Sequence, residues 1–292
     1  MTSQTADQHH GRLMRRATYA SVSVALLLIV LKAVVWYLSG SVSILASLVD
    51  SVMDAGASLI NLFAVAYSLS PADRNHRFGH GKAEALAGLA QSLFITASAL
   101  LVLWQGLDRL QNPVELQAGW YGIAVMSLSI IATLLLLGYQ QHVIRQTNSP
   151  AIRADALHYR SDLLMNASII VALLLALYGI NGADAVFGIG ISLWIAYGAI
   201  QIGRGTIQTL MDHELPDAVR REILALAREV PGVRDVHDLR TRESGRQWFV
   251  QLHLDLDGNL SLHQAHELGE LVREAIEHRF TQAEVLVHKD PV

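Results

Sequence analysis

Two carboxylates one helical turn apart, Asp50 and Asp54, lie inside a run of residues apolar enough to cross a membrane. His158 and Asp162 repeat the same i, i+4 spacing near the start of another such run. Residues four apart share one face of a helix, so each pair presents two donors to one point. Carboxylates are expensive to place in hydrocarbon and tend to serve a cation, a proton or a pathway there. One nitrogen and three carboxylate donors on two helices suit a single hard or borderline divalent metal ion, which points to metal-ion transport. The spacing also admits an interhelical polar clamp, or a proton relay without metal. Three carboxylates together repel unless a cation or protons neutralise them.

The elements that carry these residues follow from composition. Of 292 residues, 52% are hydrophobic and only 16% charged, well under the quarter usual for a soluble domain. Six segments are long and apolar enough to span a bilayer, roughly 17–38, 42–69, 84–110, 118–141, 152–178 and 183–207. Gly40-Ser41, Ser70-Pro71, Asn112-Pro113, Ser149-Pro150 and the run Gly179 to Gly182 separate them. Arg12, Arg15 and Arg16 precede the first span. Arg74, Arg77 and Lys82 lie between the second and third, and Arg145 and Arg153 between the fourth and fifth. The opposite connections carry essentially only Arg109, so both termini are expected in the cytoplasm. The polar lead with His9 and His10 reads as a disordered tail rather than a cleaved signal. Lys32 and Arg160 read as side chains reaching toward an interface more readily than as parts of an ion path, Asn61 and Asn166 as hydrogen-bonding neighbouring helices more readily than as ion ligands, and Asp184 as a solvated helix cap.

Residues 211–292 carry 16 acidic and 10 basic side chains, against 10 and 12 in residues 1–210. A membrane domain over 1–210 and a soluble acidic domain over 211–292 are therefore expected. Pro216 to about Glu229 reads as a helix, 234–243 and 247–256 as strands joined at Ser244-Gly245, 261–278 as a helix and 283–289 as a strand. The order α-β-β-α-β makes a small α+β layer. Val250, Leu252, Leu254 and Leu256 alternate with Gln251, His253 and Asp255, and His288 shares a strand face with Asp290. There is no cysteine, so any metal must be held by His, Asp or Glu, and 13 histidines are available. Asp73, His76 and His80 could meet at one ion if their loop turns helically, or could be a solvated loop that Gly79 and Gly81 keep flexible.

Three stretches carry a family resemblance. Ser41 to Asp54 reads S-x-S-I-L-A-S-L-V-D-S-x-x-D, Pro71 to Glu84 reads P-A-D-x-N-H-x-F-G-H-G-K-A-E, and Ala154 to Asp162 reads A-D-x-L-H-Y-x-S-D. The chain resembles the cation diffusion facilitator family, and within it the bacterial zinc/proton antiporters, over essentially its whole length. The resemblance implies a tetrahedral transport site of Asp50, Asp54, His158 and Asp162. It implies a second site of Asp73, His76 and His80, and a cytoplasmic cluster of His237, His253, His266, His288 and Asp290 near a dimer interface. It also implies a salt bridge between Lys82 and Asp212 that holds the dimer at the membrane surface. Lys289 departs from the family pattern by placing a positive charge between two ligands, and His263 is an additional histidine one turn before His266.

The expectation is a homodimeric, proton-coupled antiporter of the inner membrane that exports Zn²⁺, with Cd²⁺ and Fe²⁺ as further cargo, with no catalytic activity and no nucleic-acid partner. Metal ligands must be deprotonated, so incoming protons displace the ion and the ion displaces protons, with His158 the natural exchanger. A membrane-anchored metal sensor and an intramembrane metalloenzyme are the rivals. The enzyme would need an open coordination position and a general base that the sequence does not offer.

Overall fold

A computed structural model describes residues 3–40, 42–112, 120–178 and 182–292. Ser41, Pro113, the expected start of the fourth span at 118–119, and 179–181 of the turn before the sixth lie outside them. The chain divides into two compact units. One comprises Gln8–Leu69 and Ala83–Thr206; the other comprises Met1–Asp7, Ser70–Lys82 and Ile207–Val292.

Six long helices account for the apolar runs: α1 Ser3–Ser39, α2 Val42–Ser68, α3 Lys82–Gln111, α4 Trp120–Thr147, α5 Pro150–Leu177 and α6 Ala183–Leu210. All six are long and apolar enough to cross a bilayer. A helix satisfies its own backbone, which hydrocarbon requires. Leucines such as Leu26, Leu27, Leu100, Leu101, Leu134 and Leu135 point outward, as a lipid-facing surface demands. The inward stripes are small: Ala17, Ala87, Ala151 and Ala156 pack with Met14, Val65, Val143, Ile144 and Ile152 in one cluster. Ile95, Ala99, Leu157, Ile195 and Ala199 form another. Alanines let backbones approach closely where no hydrophobic drive separates helix from lipid.

Several expectations change here. The N-terminal lead is helical from Ser3, so His9 and His10 belong to α1 rather than to a disordered tail. No proline interrupts that stretch, and Met14 and Ala17 anchor it in the core. Helix α4 continues to Thr147 because Gln140, Val143 and Ile144 are buried. Asn148 then takes a positive φ of 50° and Ser149 caps α5 by accepting from the Ile152 amide, with Pro150 in its first turn. Asn166 bonds its own helix, donating to the Asp162 carbonyl at 2.8 Å, whereas Asn61 reaches Ala151 O at 3.4 Å. Asp184 is no mere cap, since Arg109 Nη1 lies 2.8 Å from it.

The second unit follows the order α7 Asp217–Arg228, β1 Asp235–Ser244, β2 Gln247–Leu256, α8 Leu262–Arg279 and β3 Ala283–Pro291. Strands β1 and β2 form an antiparallel hairpin and β3 joins β2 in parallel, giving sheet order β1-β2-β3. Val250, Leu252, Leu254 and Leu256 turn to a core shared with Ile223, Ala227, Val272 and Ile276 from α7 and α8. Ser261 and Gln264 close a reciprocal capping box at the start of α8. The alternate residues of the strands are left on the opposite face.

Candidate metal centres

In the membrane unit, α2 and α5 are neighbours and bring Asp54, His158 and Asp162 together, their ligand atoms all within 4.8 Å of one another. His158 Nε2 lies 2.9 Å from Asp54 Oδ1 and 3.7 Å from Asp162 Oδ2. His158 is buried, yet this nitrogen has no aligned hydrogen-bond partner among the described residues. A close approach of a ring nitrogen to two carboxylates without hydrogen-bond alignment is what a donor set converging on a cation presents. Asp50 is not in this group. It is exposed one turn earlier on α2, and residues a turn apart are separated by about 5–6 Å. The described geometry is therefore a three-donor cluster with the fourth expected donor beside it.

One further carboxylate went unremarked in the sequence reading. Asp155 is fully buried one turn before His158, and side chains from three other helices donate to it. Ser21 Oγ of α1 is 2.6 Å away, Gln140 Nε2 of α4 is 2.7 Å away and Gln91 Nε2 of α3 is 3.3 Å away. Tyr159, next on α5, donates to the Ser21 carbonyl at 3.0 Å and lies 3.2 Å from Ser58 Oγ on α2. The stretch of α5 that carries His158 is thus tied by polar contacts to α1, α2, α3 and α4. Buried polar groups are normally satisfied in this way, and such networks hold one arrangement.

In the second unit, Asp73, His76 and His80 also converge. Asp73 lies 3.4 Å from each histidine and the two imidazoles are 3.2 Å apart. The loop achieves this without a helix. Asp73 accepts from the His76 and Asn75 amides, an Asx-type turn that folds the following residues back. The His76 amide, more than any other group, holds the Asp73 carboxyl below its ordinary range. The loop is not loose at Gly81: a Cβ there would collide with the Ser244 carbonyl. Phe78 meets Phe249 edge-on at 5.4 Å, and Arg242 stacks over both rings. Lys82 Nζ lies 2.8 Å from Asp212 Oδ1 within the same chain, and Arg242 approaches the other Asp212 oxygen at 3.6 Å.

The polar face of the sheet carries the third cluster. Register aligns His237, His253 and His288 in one row across β1, β2 and β3, and Asp235, Asp255 and Asp290 in the next. His237, His253 and Asp290 converge within 4.8 Å. His253 Nδ1 is 2.8 Å from Asp290 Oδ2, His237 Nε2 is 3.4 Å from the same oxygen, and His288 Nε2 is 3.3 Å from Oδ1. The hydrogen bond from His253 is the main reason the Asp290 carboxyl sits below its ordinary range. Asp255, 3.1 Å from His237, belongs to the cluster although only its strand face had been read. Within this one chain His266 stands apart from His237, His253 and Asp290. It is exposed on α8, and α8 covers the apolar side of the sheet while the histidine row is on the other. His263 pairs with Glu267 at 3.2 Å instead. Lys289 points away from the cluster, since its Cε lies against Gly269 of α8. Strand alternation puts it on the helix side.

Six apolar helices with a carboxylate–imidazole cluster between two of them, and a separate α-β-β-α-β layer, describe an integral-membrane cation transporter. The family profile for the cation efflux transmembrane domain matches residues 18–211, and that for the cation efflux protein cytoplasmic domain matches 215–292. The chain belongs to the cation efflux family, whose members are transporters and not enzymes. Among individual relatives, the cation-efflux pump FieF of Cronobacter sakazakii is 50% identical over 285 residues, spanning 98% of this chain and 95% of the relative. That of Serratia proteamaculans is 49% identical over the same shares. A solved MamM CTD structure is 31% identical over 26% of this chain and 98% of its own, with a TM-score of 0.25.

Proposed function

We propose that the protein is a homodimeric antiporter of the inner membrane that exports divalent metal cations, Zn²⁺ foremost with Cd²⁺ and Fe²⁺ as further cargo, in exchange for protons. Both termini and the domain formed by residues 211–292 lie in the cytoplasm, and residues 1–210 form the transport domain. The reading rests on one observation above others: the buried His158 Nε2 sits 2.9 Å from Asp54 and 3.7 Å from Asp162, with Asp54 on α2 and Asp162 on α5. Asp54, His158 and Asp162, with Asp50 closing from the adjacent turn of α2, take the cargo ion. Oxygen and imidazole donors suit borderline and hard dications alike.

Exchange follows from ligand chemistry. A carboxylate or imidazole that holds a proton cannot hold the metal at the same lone pair, so each substrate expels the other. Imidazole is suited to this because its charge ordinarily changes near neutral pH. Asp73, His76 and His80 form a loop site, and His237, His253, His288 and Asp290 with Asp255 form a regulatory site on the cytoplasmic sheet. The Lys82–Asp212 pair braces the loop against the start of that domain and supports the dimer. Metal-competition transport in liposomes under an imposed pH gradient tests the reading. Zn²⁺ uptake that rises with the opposing proton gradient is expected, with Cd²⁺ and Fe²⁺ competing. Uptake indifferent to the gradient would rule out the antiport.

A further inference from the structure

Lys32 of α1 is buried, with 8% of its surface exposed. Its ammonium does not reach toward an interface. Nζ donates to Ser51 Oγ at 2.6 Å and to the Ser47 carbonyl at 3.1 Å, both on α2. Ser51 adjoins Asp50 and precedes Asp54 by three residues, so the lysine is clipped to the turn of α2 that carries the candidate ligands. Asp50 and Asp54 stand on that same stretch of α2, and Asp54 joins Asp162 in the intramembrane cluster. Asp155, the other buried acid nearby, has its oxygens engaged by Ser21, Gln91 and Gln140.

An ammonium buried in hydrocarbon is costly and is retained where it pairs with charge or serves a path. Here its hydrogen-bond partners are hydroxyl and carbonyl oxygens, while Asp54 and Asp162 face His158. We infer that Lys32 is the resident counter-charge of the transport site, a fixed cation that sets which cargo charge leaves the loaded site neutral. Three carboxylates and one ammonium carry a net charge of −2, and a dication with neutral imidazole brings that set to zero. In a low-dielectric interior a neutral loaded site can move where a charged one is opposed. The same fixed charge repels the bound dication and so limits affinity, which favours release. Lys32 does not touch the cargo and is a positioning and specificity residue. The inference depends on the transport-site reading given above.

The test is equilibrium Zn²⁺ binding by calorimetry to the full-length protein in detergent, in a background carrying His76→Ala and His253→Ala so that the loop and sheet clusters are silent. Lys32→Gln keeps hydrogen-bond donors for Ser47 and Ser51 but removes the charge. Lys32→Met removes both, and Lys32→Arg keeps the charge. Neutral variants are expected to bind Zn²⁺ at least about tenfold more tightly, because removing a unit charge lifts its repulsion of a dication in a low-dielectric site. Their metal release in proteoliposomes should be slower, and Lys32→Arg should bind within about threefold of the parent. A merely structural lysine would lower thermal stability without tightening binding. Unchanged or weaker binding in whichever neutral variant folds overturns the inference, as does failure of both to fold. If His158→Ala in the same background leaves binding intact, the transport-site reading fails instead, whatever the lysine variants do.

Discussion

Replacing Asp155 with alanine tests the polar network behind the candidate site. Three side chains donate to this fully buried carboxylate, and they do not lose equally. Ser21 Oγ keeps an alternative acceptor in the Ala17 carbonyl at 3.1 Å, so its loss is small. Gln140 retains the Ser21 hydroxyl at 3.0 Å for one of its N–H groups but loses the acceptor of the other, and Gln91 loses the acceptor of its own Nε2. The uncompensated loss therefore falls chiefly on two buried amides, at about 1–3 kcal/mol each. A total near 3 kcal/mol, plus a small cavity, corresponds to a fall in midpoint of about 6–12 °C for a unit of this size. Asp155→Asn keeps the shape and part of the bonding and should lose roughly half as much. The assay is thermal unfolding of the purified protein in detergent by intrinsic fluorescence, alongside metal transport. Because His158 lies one turn along α5, transport by the alanine variant should fall at temperatures where it is still folded. A midpoint within about 2 °C of the parent would refute the network as a source of stability.

Other outcomes follow from the same geometry. His253→Ala should remove zinc binding by the sheet cluster while leaving membrane transport competent, as read by calorimetry and flux on one preparation. The Asp290 carboxyl, held below its ordinary 3.8 by the His253 hydrogen bond, contributes fully above that value and is lost only as pH falls through its lowered one. Metal release that follows protonation of Asp290 should therefore set in only below 3.8, and an apo-cluster titration placing the Asp290 carboxyl above 3.8 would contradict this. Lys82→Ala breaks a half-exposed pair and should cost under about 1 kcal/mol in chemical denaturation. Gly269→Ala meets only the flexible end of Lys289, so the helix gains about 1 kcal/mol of propensity with little offset. A loss of stability there would show that the lysine cannot move.

The helices were legible because hydrocarbon leaves few options: long apolar runs ended by Gly, Ser-Pro and Asn-Pro become spans, and the alternation in β2 becomes a two-faced strand. The i, i+4 pairs were legible for the same reason, being periodic. What could not be read depends on partners far apart in the chain. Asp155 shares no spacing with Ser21, Gln91 or Gln140, which come from three other helices. Lys32 resembled a residue reaching for an interface until Ser47 and Ser51 were found beneath it. His266 enters the expected cytoplasmic cluster through the family resemblance, and within one chain it lies on α8, across the sheet from the histidine row. Asp255 sat on the polar face in plain view. Only the pairing register, which sets it beside Asp290 and near His237, revealed its company.

The central claim is that the Asp54–His158–Asp162 cluster carries the ion across the membrane. The direct measurement is zinc-driven proton flux in sealed proteoliposomes, comparing the parent with Asp54→Ala and His158→Ala at matched protein density. Flux is expected to vanish in both variants while each remains folded in the bilayer. Flux at the parent's level in both would contradict the account.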